Sequence, residues 1–347
     1  MTDTLLSVRD LTAQFRTDEG TVRAVDGVSF DVSRGETVCL VGESGSGKTV
    51  TAESVTRLVS EPAGDVGGEV RFDGRAVSEM TDRQLQSLRG GRVGHVFQDP
   101  EGALNPVYTV GWQIREAIQL HGDASDAAAR ARAIDLLDRV GIPDATSRID
   151  DYPHQFSRGQ KQRVALAMAL AANPDLLVAD EPTAALDATV QKQILRLLDD
   201  LQSEFDMGIL FVTHDLGVVA EIADRVVVMY AGKVMEHGDV FEMFETPAHP
   251  YTRALLDCLP GRGERMAPIG GSVPDPTDPP DGCRFYPRCP HAGDDCRVGD
   301  QPPMYPVGGG DRRVSCVHFG PEADSSVVLG DGAGDGDESG RDGGETR

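Results

Sequence analysis

Residues 42–49 read Gly42-Glu43-Ser44-Gly45-Ser46-Gly47-Lys48-Thr49, the spacing G-x-x-x-x-G-K-[ST] of a phosphate cradle. In such a loop small residues let successive backbone N–H groups face phosphate oxygens, Lys48 neutralises charge on the outer phosphates, and Thr49 offers a hydroxyl to Mg2+. Hydrolysis of a nucleoside triphosphate further needs an acid for the metal and a group that polarises water, best placed at the end of a neighbouring buried strand. The run Leu176-Leu177-Val178-Ala179-Asp180-Glu181 offers both. Asp180 would hold Mg2+ through water, and Glu181 at the strand's exit would orient and polarise the attacking water.

A second constellation lies near the end of the chain. Cys283, Cys289, Cys296 and Cys316 are separated by five, six and nineteen residues in a loop-like Pro/Gly context. A chain that must meet cytosolic nucleotide sits in a reducing compartment, which disfavours disulfides and favours metal binding. The spacing matches neither the C-x2-C zinc knuckle nor the bacterial ferredoxin run, so zinc and iron–sulfur are both open on spacing alone. His291 and His318 flank the cluster as alternative ligands, although a solvated loop histidine is the plainer reading of each. Cys39 and Cys258 fall in apolar or helical contexts and read as packing residues.

The elements that must position these groups follow from periodicity. Alternation around Leu6–Val8 and Val28–Val32, then the apolar run Thr37-Val38-Cys39-Leu40-Val41, predicts strands. The phosphate loop follows the last of these directly, and TAESVTRLV after it has helical spacing. A strand at 93–97 leads into residues 113–140, which carry long helical periodicity, so 100–156 reads as a mainly helical insertion. From Ser157 come a helix, an Asn-Pro break at 173–174, the buried strand 176–179, a helix at 189–203 and a strand at 208–212. Alternating strands and helices imply a parallel α/β sheet.

Composition bounds the rest. The 347 residues carry a formal net charge of −24, and only Lys48, Lys161, Lys192 and Lys233 are lysines. That balance argues against nucleic acid as a partner, which requires local basic charge, and resembles a surface adapted to high salt. No apolar run reaches the length of a membrane span, and the first residues lack a secretory pattern, so a cytoplasmic protein is expected. After Pro260 the chain turns dense in Pro, Gly and Cys. Residues 261–320 hold too few aliphatics for an ordinary core and need another staple. Residues 321–347, mostly Gly, Asp, Glu and Ser, read as a disordered acidic tail.

The order of motifs resembles one family. FSRGQKQR (156–163) stands shortly before LLVADEPTAALD (176–187), Thr213-His214-Asp215 follows, and Gln98 lies between the phosphate loop and the signature. Over residues 5 to about 235 this resembles an ABC transporter ATPase subunit. The resemblance implies a P-loop NTPase, α/β with a parallel sheet core, an antiparallel β subdomain and a helical insertion, within a nucleotide-binding domain at 5–260. It implies ATP and Mg2+ as ligands, with Gln98 sensing metal and water, His214 contacting the γ-phosphate, and Asp187 in the loop that crosses a dimer interface. Ser157, Gly159 and Gln160 would grip the γ-phosphate bound to the opposite subunit. Arg158 replaces the first of the family's two glycines there, adding an anion contact or crowding the loop. Phe15 resembles the aromatic that stacks on adenine, with Val22 as an alternative contact.

Two stretches narrow the branch. Residues 98–114 and 249–260, followed by the Cys-rich end, resemble ATPase subunits of dipeptide and oligopeptide importers, a branch that includes nickel uptake systems. That resemblance implies a second homologous ATPase, two membrane permeases, an external substrate-binding protein, and a peripheral place on the cytoplasmic face of the membrane. It also favours a [4Fe-4S] cluster over zinc at the four cysteines. The alternative of another class is a soluble ABC ATPase of repair or translation, but such proteins usually carry two phosphate loops or a long coiled coil, and this chain has neither.

Overall fold

The computed structural model describes residues 4–59, 64–184, 186–259 and 269–330. Its strands form two sheets. Strands β1 (Thr4–Thr17), β2 (Gly20–Ser33), β4 (Gly64–Phe72) and β5 (Arg75–Ala76) make an antiparallel sheet in the order β2-β1-β4-β5. The larger sheet takes β3 (Thr37–Val41), β6 (Val93–Val96), β7 (Leu176–Asp180), β8 (Gly208–Thr213), β9 (Arg225–Tyr230), β10 (Lys233–Asp239), β11 (Tyr305–Pro306) and β12 (Arg313–Val314). Its order is β11-β12-β10-β9-β3-β8-β7-β6. The stretch from β9 to β6 is parallel, as the alternating pattern implies, while β10, β12 and β11 add an antiparallel edge.

Burial explains the apolar runs. In β3 Val38 and Leu40 face the antiparallel sheet, while Cys39 and Val41 face the opposite layer, and β7 and β8 alternate in the same way. A strand covered on both faces must be apolar at every position, which is why these segments lack polar alternation. Cys39 is fully buried, in line with a packing role.

Helix α1 (Lys48–Ser54) leaves the phosphate loop, and α2 (Asp82–Leu88) precedes β6. The insertion holds α3 (Pro100–Ala103), α4 (Val110–His121), α5 (Asp126–Arg139) and α6 (Ala145–Arg148). The long periodicity of 113–140 is thus two helices. The chain breaks at Gly122, and the Ser125 hydroxyl caps the second by accepting from Ala128 N. Helices α7 (Arg158–Ala169), α8 (Ala188–Phe205) and α9 (Leu216–Ile222) connect the parallel strands, and α10 (Val240–Glu245) and α11 (Pro250–Asp257) follow β10.

The Cys-rich region builds no core of its own. Phe285 is buried against Tyr230 and Tyr251, with ring centroids 5.3 and 5.2 Å away, and so joins the main core. Arginines supply the staple: Arg284 pairs with Asp26, Arg288 with Glu43, and Arg312 with Glu236. The expected disordered tail is corrected at its start. Residues 326–329 form a short helix, α12, whose Val328, the middle of the run Val327-Val328-Leu329, is buried with Ala248, Val314 and Cys316 in an apolar niche. The remainder of that tail, 331–347, lies outside the described residues.

Candidate active site

The phosphate loop, Gln98, Glu181 and His214 all follow parallel strands, β3, β6, β7 and β8, at their carboxyl ends. That edge is where an open α/β sheet leaves its ligand crevice. The loop's backbone depends on glycine at two places. A Cβ at Gly42 would come 2.1 Å from the Met229 carbonyl oxygen, and one at Gly47 (φ +99°) 2.2 Å from that of Ala24. Gly45 meets nothing within 4 Å, and Ser44 is exposed with it, so the rim of the loop is open to a ligand.

Lys48 is buried and folds back over the loop, donating to the carbonyls of Gly42 (2.8 Å) and Glu43 (2.9 Å) and to Ser46 Oγ (3.3 Å). Burial pushes its ammonium below the usual lysine range, against the opposing charges of Glu181, Asp180 and Glu43. The loop carbonyls thus hold a cation where phosphate oxygens would bind.

Asp180 ends β7 almost wholly buried, and burial raises its carboxyl above the usual range while the Thr49 hydroxyl bonds to it. Its Oδ1 is buried without a hydrogen-bond partner. An orphaned carboxylate oxygen beside a threonine hydroxyl fits Mg2+, a hard cation that takes one or two protein oxygens and fills its shell with phosphate and water. Among the described residues no group of three or more His, Cys, Asp and Glu side chains is arranged to hold a metal ion by itself.

Glu181 adopts a left-handed backbone (φ +46°), fixed by its N–H donating to Val212 O at 2.9 Å. That turn aims the carboxylate along the sheet edge, where Gln98 Nε2 donates to Oε2 at 3.0 Å and His214 Nδ1 lies 2.8 Å from Oε1. A strained conformation at a candidate base is a common device for fixing its direction.

The remaining candidate residues stand apart. Ser157 caps α7 in a reciprocal box with Gln160: its hydroxyl accepts from Gln160 N at 3.3 Å, and Gln160 Oε1 accepts from Ser157 N at 3.0 Å. Ser157 and Arg158 are exposed, and a Cβ on Gly159 would meet Leu186 at 3.1 Å, one residue before Asp187. Asp187 caps α8, accepting from Thr189 N and Val190 N. These two helix starts form a surface of their own. Phe15 is half-buried near the end of β1, paired with Val22 and packed over Gly64.

Comparisons with known proteins identify the family. A family described as ABC transporter matches residues 25–184, and one described as oligopeptide/dipeptide transporter, C-terminal region, matches 235–296. The dipeptide transport ATP-binding protein DppD of Escherichia coli K12 is 46% identical over 318 residues, covering 91% of this chain and 96% of DppD. The chain belongs to the ABC transporter family. This ABC ATPase is also 47% identical over 310 residues to the oligopeptide transport ATP-binding protein OppD of Bacillus subtilis, covering 87% and 86% of the two chains. Among solved structures, the dimeric post-hydrolysis cassette MJ0796 bound to ADP and Pi superposes with a TM-score of 0.62 at 29% identity, over 68% of this chain and 98% of that one. Among the described residues of the ABC ATPase no helix is long and apolar enough to cross a membrane.

The four clustered cysteines converge in space. Cys283, Cys296 and Cys316 are buried and Cys289 is partly so, with no disulfide among them. Backbone N–H groups point at three of the sulfurs: Phe285 and Tyr286 at Cys283, His291 at Cys289, His318 at Cys316. Burial raises the thiols of Cys283 (to about 11), Cys289 and Cys316 (to about 12), and neighbouring sulfurs add to the cost of ionising each of these three. His318 Nε2 is engaged with the His291 carbonyl oxygen at 3.0 Å.

Sequence reasoning missed two residues that reach the phosphate loop. Tyr251 Oη accepts from Glu43 N at 2.9 Å, and Arg288 pairs with the Glu43 carboxylate. The stretches containing them were legible only as a resemblance, since nothing local announces a contact across two hundred residues.

Proposed function

We propose that this ABC ATPase is the ATP-hydrolysing subunit of a binding-protein-dependent importer of dipeptides or oligopeptides, peripheral on the cytoplasmic face of the membrane. The observation that carries the reading is the gathering of Lys48, Thr49, Asp180, Glu181, Gln98 and His214 at one sheet edge, in a chain alike over nine-tenths of its length to a dipeptide transport ATP-binding protein.

In this reading Gly42–Thr49 cradles the phosphates of MgATP, and Lys48 exchanges loop carbonyls for phosphate oxygens. Mg2+ would be held by Thr49 and Asp180, with Gln98 beside it, and would neutralise charge on the phosphates. Glu181 takes a proton from the attacking water, and Gln98 and His214 keep its carboxylate aimed. His214 is more than half exposed and free to turn toward a γ-phosphate. Phe15 would lie against the adenine. Ser157, Arg158, Gly159 and Gln160 would close on ATP held by a second, homologous ATPase, with Asp187 crossing between the two. The exposed start of α7 and the cassette dimer of MJ0796 support that arrangement. Closure of the pair would move two permeases fed by an external substrate-binding protein, the helical insertion meeting them.

The reading divides the chain into a nucleotide-binding domain at 5–260, a Cys-rich region at 261–320 and an acidic tail. It takes the charge of −24 as adaptation to salt. It also gives Cys283, Cys289, Cys296 and Cys316 a [4Fe-4S] cluster. Support comes from the converging sulfurs and from N–H groups aimed at three of them, since such donors stabilise thiolates. When bound, such a cluster would cross-link a segment that lacks a core. The reading is tested by Glu181→Gln, which should abolish turnover while MgATP still binds.

A further inference from the structure

Glu43, the second residue of the phosphate loop, is tied through all of its polar groups. Its N–H donates to Tyr251 Oη, its carbonyl accepts from Lys48 Nζ, and its carboxylate takes both terminal nitrogens of Arg288, at 2.8 and 3.1 Å. Arg288 lies 245 residues further along the chain, one position before Cys289. Its guanidinium is held in turn by the carbonyls of Ile269 and Gly270 and by Tyr230 Oη, and its side chain is only 5% exposed. Bidentate charge-assisted pairing of this kind fixes direction as well as distance.

The loop's chemistry gives the pair a consequence. The negative charge of Glu43 reaches Lys48, the cation meant for phosphate. A bare carboxylate there would repel a polyanion entering the cradle and compete for the lysine. Arg288 cancels that charge, and its guanidinium is itself fixed over the rings of Tyr230 and Phe285. Exposed ion pairs contribute little, but this cation is buried and its removal leaves an unpaired acid beside a phosphate site.

We infer that Arg288 is a positioning residue of the nucleotide site, which makes the Cys-rich region a working part of the phosphate cradle: it neutralises and orients Glu43 so that the loop accepts the polyphosphate. The inference rests on reading residues 42–49 as the ATP site, and the test separates the two. Binding of a fluorescent ATP analogue with Mg2+ is titrated against the full-length protein at fixed ionic strength. Wild-type binding, and its loss in Lys48→Ala, establishes the site itself; a wild type that binds no nucleotide overturns that reading instead. Arg288→Gln is expected to weaken binding by about ten-fold, and Arg288→Gln/Glu43→Gln to recover to within about three-fold of wild type, because the repelling charge is gone. A merely structural arginine would show no such rescue. Wild-type affinity in Arg288→Gln, or a loss that Glu43→Gln leaves in place, overturns the inference. If Arg288→Gln does not fold, Glu43→Gln alone carries the test: affinity at least equal to wild type supports it, and a ten-fold loss overturns it.

Discussion

His214 Nδ1 stands 2.8 Å from Glu181 Oε1, joining the ends of two neighbouring parallel strands through a carboxylate that Gln98 grips from its other side. The acid is 15% exposed and the imidazole 59%. The carboxylate is therefore held from within, while the imidazole is the member able to move when phosphate arrives. The backbone of Glu181, at φ +46°, has no slack to re-aim the group, so geometry and charge reside in one side chain.

Glu181→Gln keeps the shape and removes the charge, and the amide still meets Gln98 and His214. ATP turnover should fall by about 100-fold or more, with MgATP affinity within a few-fold of wild type. Phosphate release and equilibrium binding measured on the same preparation check both halves. Turnover at the wild-type rate would remove Glu181 as the base.

The cysteine region yields a prediction in metal content. Protein purified without oxygen in high salt should be brown, with about four irons and matching sulfide per chain, and Cys289→Ser should lose both colour and iron. Colourless protein with one zinc per chain would overturn the cluster in favour of a single ion. Burial raises Cys283 to about 11 and Cys316 to about 12, so both thiols would be protonated at neutral pH unless a metal's charge offset that cost.

Much of the site was legible because its motifs are local. The glycine pattern of 42–49 needs only its neighbours, and Leu176–Ala179 announces a strand buried on both faces before two acids. The long-range parts carry no such mark. Arg284, Arg288 and Arg312 look like ordinary surface arginines until they meet Asp26, Glu43 and Glu236. The shortage of aliphatics after Pro260 was visible, but its solution, borrowing the core of the main sheet through Phe285, depends on tertiary contact. Val328 is similar: the short run Val327-Val328-Leu329 in an otherwise polar tail is insufficient to predict order, and Val328 packs because Ala248 and Val314 leave it a place.

The Glu236 carboxylate is wholly buried, accepting from Ala248 N, His249 N and two nitrogens of Arg312. Arg312→Ala would leave a buried anion with backbone donors alone. The expected loss of stability is about 3–5 kcal/mol, read from urea unfolding. Arg312→Met/Glu236→Leu, which removes both charges, should cost less than Arg312→Ala. A loss under about 1 kcal/mol for Arg312→Ala would show that the pair does not fasten the Cys-rich region to the sheet.

Histidine burial fixes the direction of the pH dependence. His95 and His237 are pushed down to about 4 and His249 to about 3, in each case chiefly by burial. His249 has a structural reason to stay neutral, since its Nδ1 accepts from Tyr251 N at 3.0 Å and caps α11. In the unfolded chain these imidazoles titrate near the ordinary 6.5, so below that pH the unfolded state binds protons that the folded state refuses. Their contribution is complete above about 6.5 and is lost as pH falls toward about 4, by up to about 1.4 kcal/mol per unit for each histidine. Urea midpoints should therefore drop steeply between pH 6.5 and 4.5. His249→Asn can keep the cap without taking a proton, so it should flatten that slope by about one histidine's share. An unchanged slope would show that His249 charges in the folded state, and that the cap on α11 survives its protonation.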